Sequence, residues 1–470
     1  MGHPARDAGI VLTAEPFGAL DHKHKGIPTM TDNPPSTIQK QALWAAALGM
    51  FLDGFDLSII AIALLPLRTQ WHLDPAATGS LMASALIGSL LGGLIGGALI
   101  DRFGRRALLL PNVMLYVLGA LGSALSPNLA VLWISRFVIG LGVGMDYPLV
   151  ATVIAEYSSA ERRGNHFAWT NIAWYVGALI STLVGLVLLP LGASSWRLML
   201  GAAMIPAVFL LWLRRNIPES PRWLMRRGKK DAAHTALAAL HPDWSTQTLT
   251  STCERFAGTV RRWPVLLQKP WRKRLWLSLM PWFCLDVVGL GIGLYFPVVL
   301  RLQGLAHNNV TAAGINAIFL LISLAGIAFI LPRLDRWGRI PLQIAGFALM
   351  AIGLLVFAGG LLLRNVILIY GGTALYAFGT GIGPGVTVMA LSVEIFPTEL
   401  RASAGGLATA VSRLGAALSA MVFPYMEANW GLPSVLILMA MVSALGLWIT
   451  RGYRFEPATK TLESMESHPS

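Results

Sequence analysis

The sequence predicts an all-α membrane protein of twelve transmembrane helices, arranged as two pseudo-symmetric six-helix bundles. Composition is the first reason. Of the 470 residues, 55% are hydrophobic and 13% charged, and mean hydropathy is +0.62. That charged share is about half what a soluble protein of this length carries. The second reason is run length, because a helix needs about 20 apolar residues to cross the hydrocarbon core. The third is an internal repeat. Asp101-Arg102-Phe103-Gly104-Arg105-Arg106 returns 234 residues later, about half the chain, as Asp335-Arg336-Trp337-Gly338-Arg339.

Apolar runs of spanning length begin near Ala42, Thr78, Ala107, Leu129, His166 and Leu198, and again near Leu275, Thr311, Pro341, Val366, Ser403 and Leu432. Span 1 carries Asp53 and Asp56. Span 2 sets Gly88, Gly92 and Gly96 on one face, a spacing that lets helix backbones approach closely. Span 4 carries Arg136 and Asp146 beside Gly140, Gly142 and Gly144, and these glycines recur in span 10 as Gly379, Gly381 and Gly383. Span 5 holds Asn171, span 7 Asp286 and span 11 Arg413. The expected units are a polar tail without fixed structure (1–41), a first bundle (42–213), a basic linker (214–273), a second bundle (274–450) and a short tail (451–470).

The formal net charge of +13 is a topology signal rather than a nucleic-acid footprint. Basic residues fall in alternate loops: Arg102, Arg105 and Arg106, then Arg162 and Arg163, then Arg333, Arg336 and Arg339, then Arg451 and Arg454. The central loop, from Arg214 and Arg215 to Arg274, is also basic, and the intervening loops are nearly bare. The positive-inside rule then places both termini in the cytoplasm. Cys253 and Cys284 fall in a loop and a span, so no disulfide framework is expected. The first forty residues lack the apolar core of a signal peptide.

Duplication extends to charge. Glu156, Glu161 and Arg163 recur as Glu394, Glu399 and Arg401. With Gly97, Asp101, Arg102, Gly104, Arg105 and Arg106 in one half and Asp335, Arg336, Gly338 and Arg339 in the other, they predict a gating network at the cytoplasmic ends. Positive-inside topology does not require the acidic members. Two homologous halves around a midplane site imply alternating access by rocking.

Ionisable residues inside spans are costly and mark candidate functional sites. At a rise of about 1.5 Å per residue, Asp56 lies about 21 Å from the cytoplasmic face and Arg136 about 10 Å from the other. The two therefore meet at one level, and protonation of the aspartate would release the arginine. Asp53 shares a helix face with Asp56. Arg413 lies about 15 Å into span 11, near the midplane, and Asp286 is at similar depth. A guanidinium offers a planar fork for an anion, with pairing to Asp286 as the alternative.

Gly97-Ala98-Leu99-Ile100-Asp101-Arg102-Phe103-Gly104-Arg105-Arg106 and Arg136-Phe137-Val138-Ile139-Gly140-Leu141-Gly142-Val143-Gly144 resemble signatures of the major facilitator superfamily. Pro218-Glu219-Ser220-Pro221-Arg222-Trp223 and Glu394-Ile395-Phe396-Pro397-Thr398-Glu399-Leu400-Arg401 resemble its sugar-porter branch, which includes proton symporters of organic acids and phosphate. Asp53-Gly54-Phe55-Asp56 and the Arg413 context resemble aromatic-acid symporters. Asp146-Tyr147-Pro148 and the Trp282-to-Asp286 spacing are similar to phosphate symporters, although Arg413 stands where those carry lysine.

The resemblance implies the major facilitator fold and proton coupling through Asp53, Asp56 and Arg136. It implies substrate contacts from Asp146, Tyr147, Asn171, Trp282, Asp286 and Arg413. The expected cargo is a small anionic metabolite. The expected setting is the lipid bilayer of a bacterial inner membrane, as a monomer, with no cofactor beyond the proton, no metal and no nucleic acid. Phosphate comes second. Sugar follows, because the span 7 glutamine pair of sugar porters is missing and the cavity is expected to be rich in charge. A drug exporter would carry a proline-glycine motif in span 5, which is absent, and no nucleophile constellation or phosphate loop supports an enzyme.

Overall fold

The computed structural model describes residues 36–157, 163–256, 263–269, 271–396 and 398–453. Among them, twelve helices are long and apolar enough to cross a membrane. In the first half these are Thr37–Gln70, Pro75–Ile100, Arg106–Ala124, Leu129–Ile154, Ala168–Leu191 and Ser195–Arg214, taken as spans 1 to 6. Spans 7 to 12 are Trp271–Leu302, Asn309–Arg333, Arg339–Leu362, Val366–Ser392, Ser403–Trp430 and Leu432–Arg451. Span 6 thus reaches Arg214, and span 7 starts ahead of Leu275, so the linker is shorter at both ends than the sequence suggests.

Local chemistry sets the ends. Ser36 and Gln39 form a capping box before span 1. Asp74 accepts from the Ala77 N–H, with Pro75 in the first helical position of span 2. Asn308 caps span 8 in the same way. The repeated basic turns need glycine: Gly104 has φ +89° and Gly338 φ +84°, both in the left-handed region. Span 10 is broken at Gly383 into Val366–Ile382 and Pro384–Glu394.

Glycines of spans 2 and 4 bring those helices into contact. A Cβ on Gly88 or Gly92 would strike span 4 backbone, and one on Gly140 or Gly144 would strike Ala85 or Ser89 of span 2. The span 2 face therefore packs within its own bundle, while Gly93 sits between Gly144 of span 4 and Thr409 and Ala410 of span 11. The two halves meet along spans 2 and 11, 5 and 8, and 1 and 7. In the second half, Gly381 meets Ser323 of span 8 as Gly144 meets Ser89, and Gly379 meets span 9 as Gly142 meets span 3. The structural register therefore pairs Gly144 with Gly381, one glycine out of step with the pairing read from sequence.

Between the halves, the linker folds into three short helices, Pro221–Arg226, Lys230–Leu240 and Thr246–Arg255. Leu224, Ala233, Leu237, Leu249 and Cys253 form their small core.

Candidate functional site

A cavity of about 190 Å³ lies between the bundles. Drug-sized pockets run to about 300–1,000 Å³, so this one suits a small solute. Spans 4 and 5 contribute Tyr147, Asn171, Trp174 and Tyr175, and spans 7 and 8 contribute Trp282, Asp286, Asn316 and Ser323. Thr373, Tyr376 and Thr380 of span 10, Arg413 of span 11 and Ser58 of span 1 complete the polar lining. Asn171 also reaches across the seam, donating to Met389 Sδ at 3.7 Å.

Arg413 is the centre of the wall. Its Nη1 donates to Asp286 Oδ2 at 2.9 Å, and its Nη2 donates to the Tyr147 hydroxyl of the other bundle. Its guanidinium carbon sits 4.8 Å from the Tyr147 ring centroid, and that ring meets Trp282 edge-on at 6.1 Å. Tyr147, Trp282, Asp286 and Arg413 are thus one assembly, only 3% of Arg413 is exposed, and the ion pair neutralises itself. The Trp174 indole N–H and the Arg413 Nε are buried with no protein partner.

The remaining span charges lie elsewhere. Asp53, Asp56, Arg136 and Asp146 are absent from the cavity wall and are buried within the first bundle. Asp146, expected to contact substrate, instead pairs with Arg214 at 2.6 Å. Arg214 Nη1 donates to Asn112 Oδ1 at 2.8 Å, and Asn112 Nδ2 donates to the Gly142 carbonyl at 2.7 Å. Asp53 accepts from the Tyr116 hydroxyl. Gly49 makes room for this cluster, since a Cβ there would strike both Asp146 and Arg214. Arg136 donates from Nη2 to the Asp56 backbone carbonyl at 2.8 Å, with its Nη1 4.0 Å from the Asp56 carboxylate. The cavity is therefore richer in neutral polar groups, and poorer in charge, than its sequence suggests.

At the basic end, Glu219 accepts from the backbone N–H groups of Arg105 at 2.9 Å and Arg106 at 3.1 Å. It closes the turn made by Gly104. Arg227 donates to the Arg102 carbonyl at 2.7 Å. In the second half, Arg339 makes a bidentate pair with Glu394 at 3.0 and 3.1 Å beside Gly338. The Arg336 side chain is exposed, and a Cβ on Gly97 would meet nothing within 4 Å. Glu161 lies outside the described residues, as do the side chains of Asp101, Glu156, Arg163, Asp335, Glu399 and Arg401.

Sequence reasoning did not single out Arg214, Asn112, Tyr116 or Glu219 as site residues. Arg214 ends an apolar run and reads as the first basic loop residue, whereas in the structure its head turns back into the bundle. An asparagine amid the apolar residues of span 3 was the available signal.

The model described as "Sugar (and other) transporter" matches residues 42–468. The putative metabolite transport protein YaaU of Escherichia coli is 31% identical, over 90% of this chain and 93% of its own. The niacin transporter NiaP of Acinetobacter baylyi is 28% identical, over 90% and 95% respectively. A structure of the proton:xylose symporter XylE of E. coli, bound to 6-bromo-6-deoxy-D-glucose, superposes with TM-score 0.78 at 25% identity. It covers 92% of this chain and 99% of that one.

Proposed function

Because the chain belongs to the sugar (and other) transporter family, we propose that it is a proton-coupled symporter taking up a small, neutral, polyhydroxylated solute of the sugar class. One observation carries this reading. The cavity wall offers aromatic faces and neutral donors and acceptors (Asn171, Trp174, Tyr175, Asn316, Tyr376, Thr380) around a single self-neutralised ion pair. A solute studded with hydroxyls needs many such partners and no net charge. The family and the XylE likeness point to the same class of cargo.

The basic end is the cytoplasmic end under the positive-inside rule, in a bacterial inner membrane, and the protein works as a monomer. Solute reaches Arg413, Tyr147 and Trp282 from one side, and the bundles rock to release it on the other. Asp53, Asp56 and Arg136 couple the proton within the first bundle. Glu219, Arg102, Arg105 and Arg106, with Arg336, Arg339 and Glu394, hold the cytoplasmic side closed in the outward-facing state. Asp101, Glu156, Glu161, Arg163, Asp335, Glu399 and Arg401 belong to that network by their place in the repeat.

A second reading, symport of a small carboxylate, is favoured by the unpartnered Nε of Arg413 and by the likeness to a niacin transporter. An incoming carboxylate would take the guanidinium fork from Asp286. Phosphate has less behind it, since no relative reported above carries a phosphate name. The test is uptake of labelled pentoses, hexoses, nicotinate and benzoate into right-side-out vesicles with an imposed pH gradient. Sugar accumulation that collapses with the gradient is expected. Accumulation of nicotinate or benzoate alone would establish the second reading, and gradient-independent sugar uptake would remove proton coupling.

A further inference from the structure

Arg413 of span 11 is engaged at two of its three nitrogens. Nη1 donates to Asp286 Oδ2 at 2.9 Å, and Nη2 donates to the Tyr147 hydroxyl of span 4. Nε is buried and has no partner. A guanidinium is planar, with its N–H donors in a fixed fork. Nε–H and one Nη2–H point the same way and form its side edge, where a carboxylate takes two parallel hydrogen bonds. Asp286 does not use that edge. The Tyr147 hydroxyl stands on half of it, and the orphaned Nε is the other half. Tyr147 is held in this place. It is 6% exposed, its ring meets Trp282 edge-on at 6.1 Å, and the preceding Asp146 is anchored to Arg214 at 2.6 Å. Among the described residues its hydroxyl has no other hydrogen-bond partner. A hydroxyl that accepts still has its own proton to give, and Tyr147 lines the cavity.

We propose that Tyr147 is the specificity-determining residue that separates neutral from anionic solutes: its hydroxyl occupies the anion-binding edge of Arg413 and offers the solute an uncharged donor in its place. A sugar-class solute accepts from that O–H. A carboxylate finds the edge blocked. This rests on the sugar-class reading of the same cavity, and it predicts opposite changes for the two solute classes when the hydroxyl is removed. The edge is then free to hold a carboxylate with two bonds, while a neutral solute loses a partner. A tyrosine that only packed against Trp282 would weaken both classes alike.

The test is equilibrium binding to the purified full-length protein in detergent. Nicotinate and nicotinamide, and benzoate and benzamide, serve as pairs that differ chiefly in charge, and labelled pentoses and hexoses form the sugar arm. The wild type is expected to bind each acid no more tightly than its amide. In Tyr147→Phe the acid-to-amide affinity ratio should rise about tenfold or more, while sugar affinity falls about three- to tenfold. Tyr147→Leu, with neither ring nor hydroxyl, should raise the ratio too, and it decides the question if the phenylalanine variant does not fold. Adding Arg413→Lys to Tyr147→Phe should abolish the gain, because an ammonium has no fork. A wild type that already prefers the acids overturns the assignment. So does a ratio that neither variant moves, or a gain that survives Arg413→Lys. If no sugar binds and the ratio still shifts, the sugar reading fails and Tyr147 keeps its role. Sugar binding with an unmoved ratio is the reverse.

Discussion

Spans 4 and 10 occupy equivalent places in the two halves, with Gly142 and Gly144 meeting the neighbours that Gly379 and Gly381 meet. In that register Arg136 and Asp146 of span 4 correspond to Thr373 and Gly383 of span 10. Span 4 carries buried charge on a continuous helix, whereas span 10 carries a cavity-lining hydroxyl and a backbone break. One ancestral unit thus became two devices. Span 4 of the first bundle keeps its buried charges off the cavity wall, and span 10 of the second lines the cavity and bends. The basic turns differ too, Glu219 of the linker holding the first and Glu394 of span 10 the second.

The strongest test of that division is Arg413→Ala. It leaves Asp286 buried without its partner, and breaking such a pair costs about 3–5 kcal/mol. Solute uptake in vesicles should be abolished, whereas Arg413→Lys should retain part of it. Unchanged solute affinity in the alanine variant would take the solute site away from the second bundle. Next come Glu219→Gln and Glu394→Gln, which remove charge-assisted hydrogen bonds worth about 1.5–3 kcal/mol each. Both should raise labelling of cysteines placed at the cytoplasmic mouth. A rise in only one would show that the two turns do not share the load.

Register can be checked with Gly144→Ala and Gly381→Ala. Each Cβ meets a serine carbonyl of the packed span, so a loss of about 1–3 kcal/mol is expected, read as a lowered Tm in detergent. Gly97→Ala, with open space around it, should stay within about 0.5 kcal/mol of wild type. A modest effect is expected from Asn316→Ala. Asn316 donates to Thr182 across spans 8 and 5 at 3.2 Å. Its loss should shift the balance between the two access states by about 0.5–1.5 kcal/mol, a few-fold change in mouth labelling.

The spans, their number and the two basic turns were legible because the bilayer imposes length and apolarity on any helix that crosses it. Asp286 and Arg413 were legible as costly groups at similar depth, and Tyr147, Asn171 and Trp282 through family resemblance; all five line the cavity. Asp146 was assigned to the same site by its place in span 4 and the likeness of Asp146-Tyr147-Pro148 to phosphate symporters. Depth along an axis does not say which way a side chain faces, and Asp146 faces Arg214 inside the first bundle. The expectation of an anionic cargo rested on Arg413, which does line the cavity but is already paired there with Asp286.

The linear order of residues determined by itself that this chain crosses a bilayer in two related halves, because hydropathy, loop charge and repetition are properties of sequence. Which charges face solute and which face one another was decided only when the helices packed. Rotation about each helix axis is set by neighbouring side chains rather than by the span's own composition, and a turn of one residue, about 100°, moves a carboxylate from cavity to core.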